Sequence, residues 1–280
     1  MEYFHKNFKE LENLLNKKIN GFPIPVLCTG SPGSGKSMCI KQISKKHNLD
    51  FAYLPCNGQT SKSDILGFID AMGKNRESLF SKMYKNGGLF VFEEIDSVHQ
   101  DTIITINSMI DSDEGSFGNN MYKRHKDFHI FATSNTYNGA TDEFTARKQL
   151  DQSTLERFIK MDFKTDSNLE KNLLKDEYDL ITHIREKLLD GKYFSMRQAL
   201  MLVQMKDSGL IKALSRTAFR NHPELITSKY NDILKIAEEG NVSVKITSDS
   251  ITNHFKTLID SGIPASAIKV PTSTETTKEF

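Results

Sequence analysis

Residues 25–37 read Pro25-Val26-Leu27-Cys28-Thr29-Gly30-Ser31-Pro32-Gly33-Ser34-Gly35-Lys36-Ser37. The first five residues form a short, mostly apolar run, and the last eight fit the pattern G-x-x-x-x-G-K-[ST]. Glycines let the backbone curl around a phosphate group with its N–H groups inward, and a following helix adds positive potential at its N-terminus. The stretch therefore predicts a strand, a phosphate-binding loop and a helix, with Lys36 supplying a charge for the outer phosphates and the Ser37 hydroxyl as a ligand of Mg²⁺.

Short apolar runs recur after this stretch, at residues 51–54, 89–92, 129–133 and 159–163. Helical spacing separates them, for example over residues 102–110, and an amphipathic pattern at 2–18 precedes them. Strands that alternate with helices favour an α/β fold, in which helices cover both faces of a parallel sheet.

The pattern changes near residue 164. Helical periodicity dominates afterwards, at residues 178–190 (stopped by Gly191), 195–207, 209–219 and 222–239, and a short strand is predicted at 242–246. We therefore predict an α/β domain over 1–164, a smaller helical domain over 165–262 and a polar tail over 263–280.

Composition narrows the function classes. With 37 Lys and Arg against 36 Asp and Glu, the net charge is +1, which argues against a dedicated nucleic-acid coat and leaves a local basic patch open. No run approaches the roughly 18 apolar residues of a membrane helix, and the start lacks a signal-peptide core. The three cysteines (Cys28, Cys39 and Cys56) lack metal or disulfide spacing, so we expect buried thiols in a cytoplasmic protein.

Two polar strand ends complete the predicted site. Glu93 and Glu94 directly follow the apolar run 89–92, and Asn135 follows the run 129–133. Ligands of open α/β sheets bind at the carboxyl edge of the strands. Because neighbouring side chains of a strand point to opposite faces, we assign Glu93 to Mg²⁺ and Glu94 to polarising the attacking water. Asn135 is expected to orient that water or to contact the terminal phosphate.

These motifs, in this order, resemble Walker A, Walker B and sensor 1 of an AAA+ ATPase. The segments SKSDILGFID, GGLFVFEEIDSV, FATSNT and LDQSTLERF are similar to the MoxR/CobS/dynein-related branch over roughly residues 20–205. An aspartate would be more usual than Glu93, which adds one methylene. The resemblance implies ATP hydrolysis with Mg²⁺ in a ring of identical subunits, expected to be a hexamer.

The resemblance also assigns arginines. Arg157, or alternatively Arg147, matches the finger that reaches the nucleotide of a neighbouring subunit, where a guanidinium stabilises the transferring phosphoryl group. Arg197, two residues after the N-cap candidate Ser195, looks like sensor 2, which would contact nucleotide in the same chain.

Two further features remain open from sequence. Asn57 either pairs with Glu94 and holds it inactive until a ligand binds, or forms a turn. Residues 111–128 resemble the hairpin placed before sensor 1, whose tip residues Met121 and Tyr122 either touch a substrate or are merely exposed.

The favoured function is that of a ring-shaped ATPase that remodels or matures a protein partner. Relatives in the branch act as chaperones beside a partner with a von Willebrand A domain, so the resemblance implies such a partner. The alternatives are a nucleic-acid motor or loader and a nucleotide-gated assembly switch with little turnover.

Overall fold

The computed structural model describes residues 2–135, 148–220, 222 and 224–239. The chain divides into two compact units, one reaching to Leu169 and one from Glu170 onward. The strands are Lys18–Ile19 (β1), Phe22–Pro23 (β2), Val26–Thr29 (β3), Phe51–Pro55 (β4), Phe68–Ile69 (β5), Asn75–Arg76 (β6), Gly88–Glu93 (β7), Glu114–Phe117 (β8), Asn120–Lys123 (β9), Phe128–Ser134 (β10) and Ile159–Asp162 (β11).

Helices of the first unit precede, connect and follow these strands. They are Phe8–Leu15 (α1), Lys36–Lys46 (α2), Lys62–Leu66 (α3), Leu79–Asn86 (α4), Gln100–Asp111 (α5) and Gln152–Leu155 (α6), and Ser167–Leu174 (α7) spans the division. The described helices of the second unit are Tyr178–Leu188 (α8), Met196–Met205 (α9), Leu210–Arg216 (α10), Glu224–Ser228 (α11) and Tyr230–Glu239 (α12).

Five strands form one parallel sheet in the order β11-β3-β10-β7-β4. This confirms the predicted α/β fold with a helical C-terminal region. Strand β10 lies between β3 and β7, with Ala132 paired to Leu27 on one side and to Phe92 on the other. The carboxyl ends of these three strands are therefore neighbours, and this edge positions the candidate site.

Side-chain alternation along the strands divides the core into two layers. Phe90 and Phe92 of β7 belong to the layer covered by α4 and α5, whereas Leu89 and Val91 belong to the layer covered by α1 and α2. Phe80 of α4 meets the Phe90 ring edge-on at 5.2 Å, and burial of one such ring contributes about 2 kcal/mol. Continuous apolar strands are thus explained by helices on both faces.

The predicted helix over residues 2–18 was too long. The observed helix begins at Phe8, because oxygen atoms of residues 162–166 accept hydrogen bonds from the residues directly before it. The backbone N–H of Lys6 donates to Asp166 Oδ2 at 2.6 Å, and the Asn7 side chain donates to the Asp162 carbonyl oxygen at 2.9 Å. An amphipathic pattern does not register such distant partners.

The helical unit has its own apolar core, formed by α8 to α12. Helix α8 ends at Leu188, and Gly191 follows with φ 80°, which confirms the predicted stop. The single helix predicted over 222–239 was wrong, because a turn at Lys229 separates α11 from α12. The predicted strand at 242–246, the helix ending near 262 and the tail at 263–280 lie outside the described residues.

Sequence reading missed the segment from α3 to α4, including the hairpin β5–β6. The sequence does contain features that predict α4. Ser78 caps the helix by accepting from Ser81 N–H, Phe80 and Tyr84 lie on one face, and Gly87 ends the helix. None of the described helices combines the length and apolar character that a membrane crossing requires.

Candidate nucleotide-binding site

The loop between β3 and α2 has the close-packed backbone of a phosphate cradle. Gly30 has φ 145°, and a Cβ built there would lie 2.1 Å from the carbonyl oxygen of Phe163, so the loop passes β11 where only glycine fits. Gly35 takes a left-handed conformation and caps α2. Before the loop, Thr29 Oγ1 donates to the Asp162 carboxylate, and this hydrogen bond lowers the pKa of that carboxyl.

Lys36 is held inside the loop, with only 7% of its surface exposed. Its ammonium donates to the carbonyl oxygens of Gly30 at 2.5 Å and Ser31 at 3.0 Å, and to Asn135 Oδ1 at 3.1 Å. A positive charge is thereby fixed within the loop and beside Asn135.

Asn135 joins the loop to the acidic strand end. While its side-chain oxygen accepts from Lys36, its amide nitrogen donates to Glu94 Oε1 at 3.1 Å. The structure therefore brings together Lys36 of the predicted phosphate loop with Asn135 and Glu94, which the sequence had placed at two separate strand ends.

Glu93 and Glu94 do not alternate along one strand, as the prediction of their opposite orientations had assumed. Strand β7 ends at Glu93, and Glu94 lies beyond it in a left-handed conformation with φ 59°. Its N–H donates to Thr133 Oγ1 at 3.1 Å. Thr133, which lies in β10 two residues before Asn135, was missed from sequence. The turn exposes the Glu94 side chain and leaves Glu93 partly buried.

The donor set at this edge fits a nucleotide with a hydrated divalent cation. Ser37 is exposed at the start of α2, Glu93 ends β7, and Mg²⁺ in phosphate sites typically takes only one or two protein oxygens. Ser34 Oγ, inside the loop, is buried without a hydrogen-bond partner in the structure, which is unusual for a buried hydroxyl. Among the described residues no three His, Cys, Asp or Glu side chains form a separate metal cluster.

Family comparison agrees with this geometry. The sequence profile of the AAA domain (dynein-related subfamily) matches residues 25–158. Residues 25–158 are an AAA domain of the dynein-related subfamily. This confirms the resemblance inferred from the motifs, and nucleotide binding through a P-loop and ATPase chemistry are the general properties that this family implies.

Relatives of the AAA domain are distant. Midasin of Giardia intestinalis is 27% identical over 145 residues, which cover 49% of this chain and 3% of midasin. The protein CbbQ of Hydrogenophilus thermoluteolus is 25% identical over 171 residues, which cover 58% of this chain and 60% of CbbQ. The matches thus span less than two thirds of either relative. A solved structure from Cytophaga hutchinsonii, provisionally assigned as an ATPase, has a TM-score of 0.48 at 14% identity, over 92% of this chain and 89% of that one.

The candidate arginines have different settings. Arg157 follows α6 of the AAA domain and pairs with Asp111, with Nη2 at 2.6 Å from Asp111 Oδ2. That carboxylate raises the pKa of the guanidinium. Arg197 is exposed in the first turn of α9, and the predicted N-cap Ser195 accepts from Gln198 N–H. Arg147 lies outside the described residues.

The helix α9 that carries Arg197 is anchored by a buried ion pair. Glu170, 1% exposed, accepts two hydrogen bonds from Arg185 at 2.8 and 2.7 Å. Arg185 also donates to the carbonyl oxygen of Phe194 at 3.1 Å, directly before the capping residue Ser195. The start of α9 is therefore tied to α7 and α8.

His5 packs against the phosphate loop, and sequence analysis missed it. A Cβ built on Gly35 would lie 3.6 Å from His5 Cδ2, and the His5 ring stacks on Phe163 at 4.7 Å. The ring is 2% exposed, and burial lowers the pKa of this histidine. Nothing in the amphipathic pattern of the N-terminus distinguishes this residue.

The two remaining sequence alternatives concern Asn57 and the hairpin. Asn57 Oδ1 accepts from Gln59 N–H at 2.7 Å, which is the turn-forming geometry. Strands β8 and β9 pair as an antiparallel hairpin, in which Met121 is 61% exposed and the Tyr122 ring lies 6.2 Å from Phe117. Met121 is thus the accessible apolar side chain of the predicted pair.

Proposed function

We propose that this protein hydrolyses ATP in a homo-oligomeric ring and uses the cycle to remodel a protein partner. The observation that supports it most directly is the continuous link from Lys36 through Asn135 to Glu94 at the carboxyl edge of the sheet. A phosphate anchor and an exposed carboxylate joined by an amide are the groups that phosphoryl transfer to water requires.

Each residue has a role that follows from its setting. The loop N–H groups and Lys36 bind and orient the phosphates, and Glu94 accepts a hydrogen bond from the attacking water while Asn135 fixes the carboxylate. Ser37 and Glu93 would hold Mg²⁺, which when bound neutralises charge on the phosphate oxygens. The exposure of Glu94 leaves its carboxylate accessible to water.

Arg157 is proposed to act on the nucleotide of a neighbouring subunit, with Arg147 as the alternative. In a head-to-tail ring each pocket is completed by the next subunit, so a monomer should hydrolyse ATP poorly. Arg197 is proposed to contact nucleotide in its own chain, and the pair of Glu170 and Arg185 fixes the start of its helix within the helical unit.

The deciding experiment measures ATP turnover against protein concentration, with Mg²⁺ present or chelated. Turnover per subunit should rise with concentration, and Lys36→Ala and Glu94→Gln should abolish most of it. Arg157→Ala mixed with Lys36→Ala should regain activity, because mixed rings place an intact Arg157 beside an intact loop. No recovery would exclude Arg157 as a finger acting between subunits.

A nucleotide-gated assembly switch is the second candidate, since Glu93 stands where aspartate would be more usual. It predicts that the natural protein and Glu94→Gln are equally slow while ATP still drives assembly. The partner is proposed to be a protein substrate or a protein with a von Willebrand A domain. Capture from the native cell with Glu94→Gln, which should retain ATP, tests this against a nucleic-acid target.

A further inference from the structure

One face of helix α5 holds the segment that carries Arg157. Three polar residues at helical positions i, i+7 and i+11 contact three residues of the segment 151–157. The pairs are Gln100 Nε2 with Asp151 Oδ2 at 2.9 Å, Asn107 Nδ2 with Thr154 Oγ1 at 2.9 Å, and Arg157 Nη2 with Asp111 Oδ2 at 2.6 Å. Residues at this spacing lie on one side of a helix, so α5 acts as a rigid support along the whole segment.

The contact between Asn107 and Thr154 fixes the segment 151–157 on α5. Asn107 is 8% exposed and Thr154 is fully buried, so their hydrogen bond forms away from water, where it is difficult to replace. Leu150 and Phe158, at the two ends of the segment, belong to the core under the sheet. The backbone around Arg157 is therefore fixed, and only its side chain needs a further partner.

Asp111 supplies that partner in a specific way. Its Oδ2 atom accepts from both Nε, at 2.9 Å, and Nη2 of Arg157, and Nη1 donates to the carbonyl oxygen of Ser153 at 2.5 Å. A guanidinium has five N–H donors in one plane. The described residues use three of them, which leaves one N–H on each terminal nitrogen that no described residue accepts, and two such donors can bind two phosphate oxygens together.

We propose that Asp111 is the positioning residue of Arg157, holding the guanidinium so that its two remaining N–H groups are presented outward to a phosphoryl group. The inference rests on the proposed function, because it requires Arg157 to act on a phosphate of another subunit. The side chain of Arg157 is 27% exposed, so the guanidinium is accessible while its orientation is fixed. A flexible arginine would lose more side-chain entropy on reaching the phosphate.

The test compares Asp111→Ala and Asp111→Asn with the natural protein in steady-state ATP hydrolysis. Asp111→Ala should lower kcat about 10- to 100-fold, as expected for a misplaced catalytic group, with KM nearly unchanged because the loop and Lys36 are intact. Asp111→Asn, which keeps an oxygen acceptor, should recover most of kcat. Asp127→Ala, which removes an exposed ion pair with Lys18 directly before β10, is the control and should leave kcat unchanged.

A double variant distinguishes positioning from a purely structural role. Adding Asp111→Ala to Arg157→Ala should not lower kcat further, whereas a structural defect would lower it again and would lower the melting temperature in both backgrounds. An unchanged or raised kcat in Asp111→Ala overturns the inference while Arg157→Ala remains impaired and the proposed function stands. If the natural protein shows no turnover, or Arg157→Ala is fully active, the finger role fails and the inference falls with it.

Discussion

The side-chain amide nitrogen of Asn135 lies 3.1 Å from Glu94 Oε1, across 41 residues of sequence. The two residues meet because β7 and β10 are parallel neighbours that end at the same edge. The amide orientation that satisfies Glu94 also turns the Asn135 oxygen to Lys36, so the carboxylate and the phosphate anchor share one side chain.

Removal of this amide should slow chemistry more than binding. We expect Asn135→Ala to lower kcat for ATP hydrolysis about 10²-fold or more, because Glu94 loses its orienting donor while the phosphate loop persists. Nucleotide affinity, measured by calorimetry with Mg²⁺, should change less than tenfold. Asn16→Ala, at an exposed helix end, is the control, and equal losses in both variants would contradict the assigned role.

The approach of the loop to β11 predicts a strong effect at Gly30. Gly30→Ala places a methyl group 2.1 Å from the Phe163 carbonyl oxygen and should lower the free energy of unfolding by about 2–5 kcal/mol, together with nucleotide affinity. Gly21→Ala is the matched control, since Gly21 also has positive φ (87°) but has no atom within 4 Å of a Cβ. Chemical denaturation of the two variants separates steric contact from backbone strain, and equal losses would rule out the contact.

The buried pair in the helical unit predicts a recoverable loss of stability. Arg185→Met leaves the Glu170 carboxylate, which is 2% exposed, without its partner, and breaking such a pair typically destabilises by about 3–5 kcal/mol. Arg185→Met combined with Glu170→Gln removes the stranded charge and should regain part of the loss in thermal denaturation. A double variant less stable than Arg185→Met would contradict this account.

Histidine burial predicts a loss of stability in mild acid. Burial lowers the pKa of His129 from 6.5 to about 4, so between these values the unfolded chain binds more protons than the folded one. Stability from this group is complete above pH 6.5 and falls as the pH decreases to about 4, by on the order of 3 kcal/mol.

Denaturation curves at several pH values check this slope. His129→Gln should flatten the dependence between pH 6.5 and 4, and a smaller slope of the same sign should remain because the pKa of His5 is also lowered. Asn16→Ala, which changes no titratable group and lies at an exposed helix end, should leave the slope as in the natural protein. An unchanged slope in His129→Gln would show that the protonation of other groups dominates.

Local patterns predicted much of the fold and of the candidate site. The loop around Lys36 is recognisable because its glycines and its flanking strand and helix are contiguous in sequence. Asn135 and Glu94 were predictable as strand ends, since parallel strands share an edge. The left-handed turn at Glu94 was not, because its stabilising contact with Thr133 comes from another strand.

The features that could not be predicted from sequence depend on contacts between segments that are distant along the chain. His5 lies beside the phosphate loop while Asp166 accepts from the backbone N–H of the next residue, Lys6, and no helical or strand periodicity encodes that pairing. The pairing of Asp111 with Arg157 likewise joins residues 46 positions apart. Such contacts follow from the assembled sheet and helices rather than from residue types at a fixed spacing.

Burial of the three native thiols allows selective labelling of an introduced cysteine. Cys28, Cys39 and Cys56 are at most 5% exposed, and burial raises the pKa of each thiol, for Cys39 and Cys56 to about 12. Maleimide dyes react with exposed thiolates, so a single Met121→Cys substitution on the hairpin would take the label with all native cysteines retained. Partner engagement at that hairpin could then be followed as a change in dye anisotropy in the otherwise natural protein.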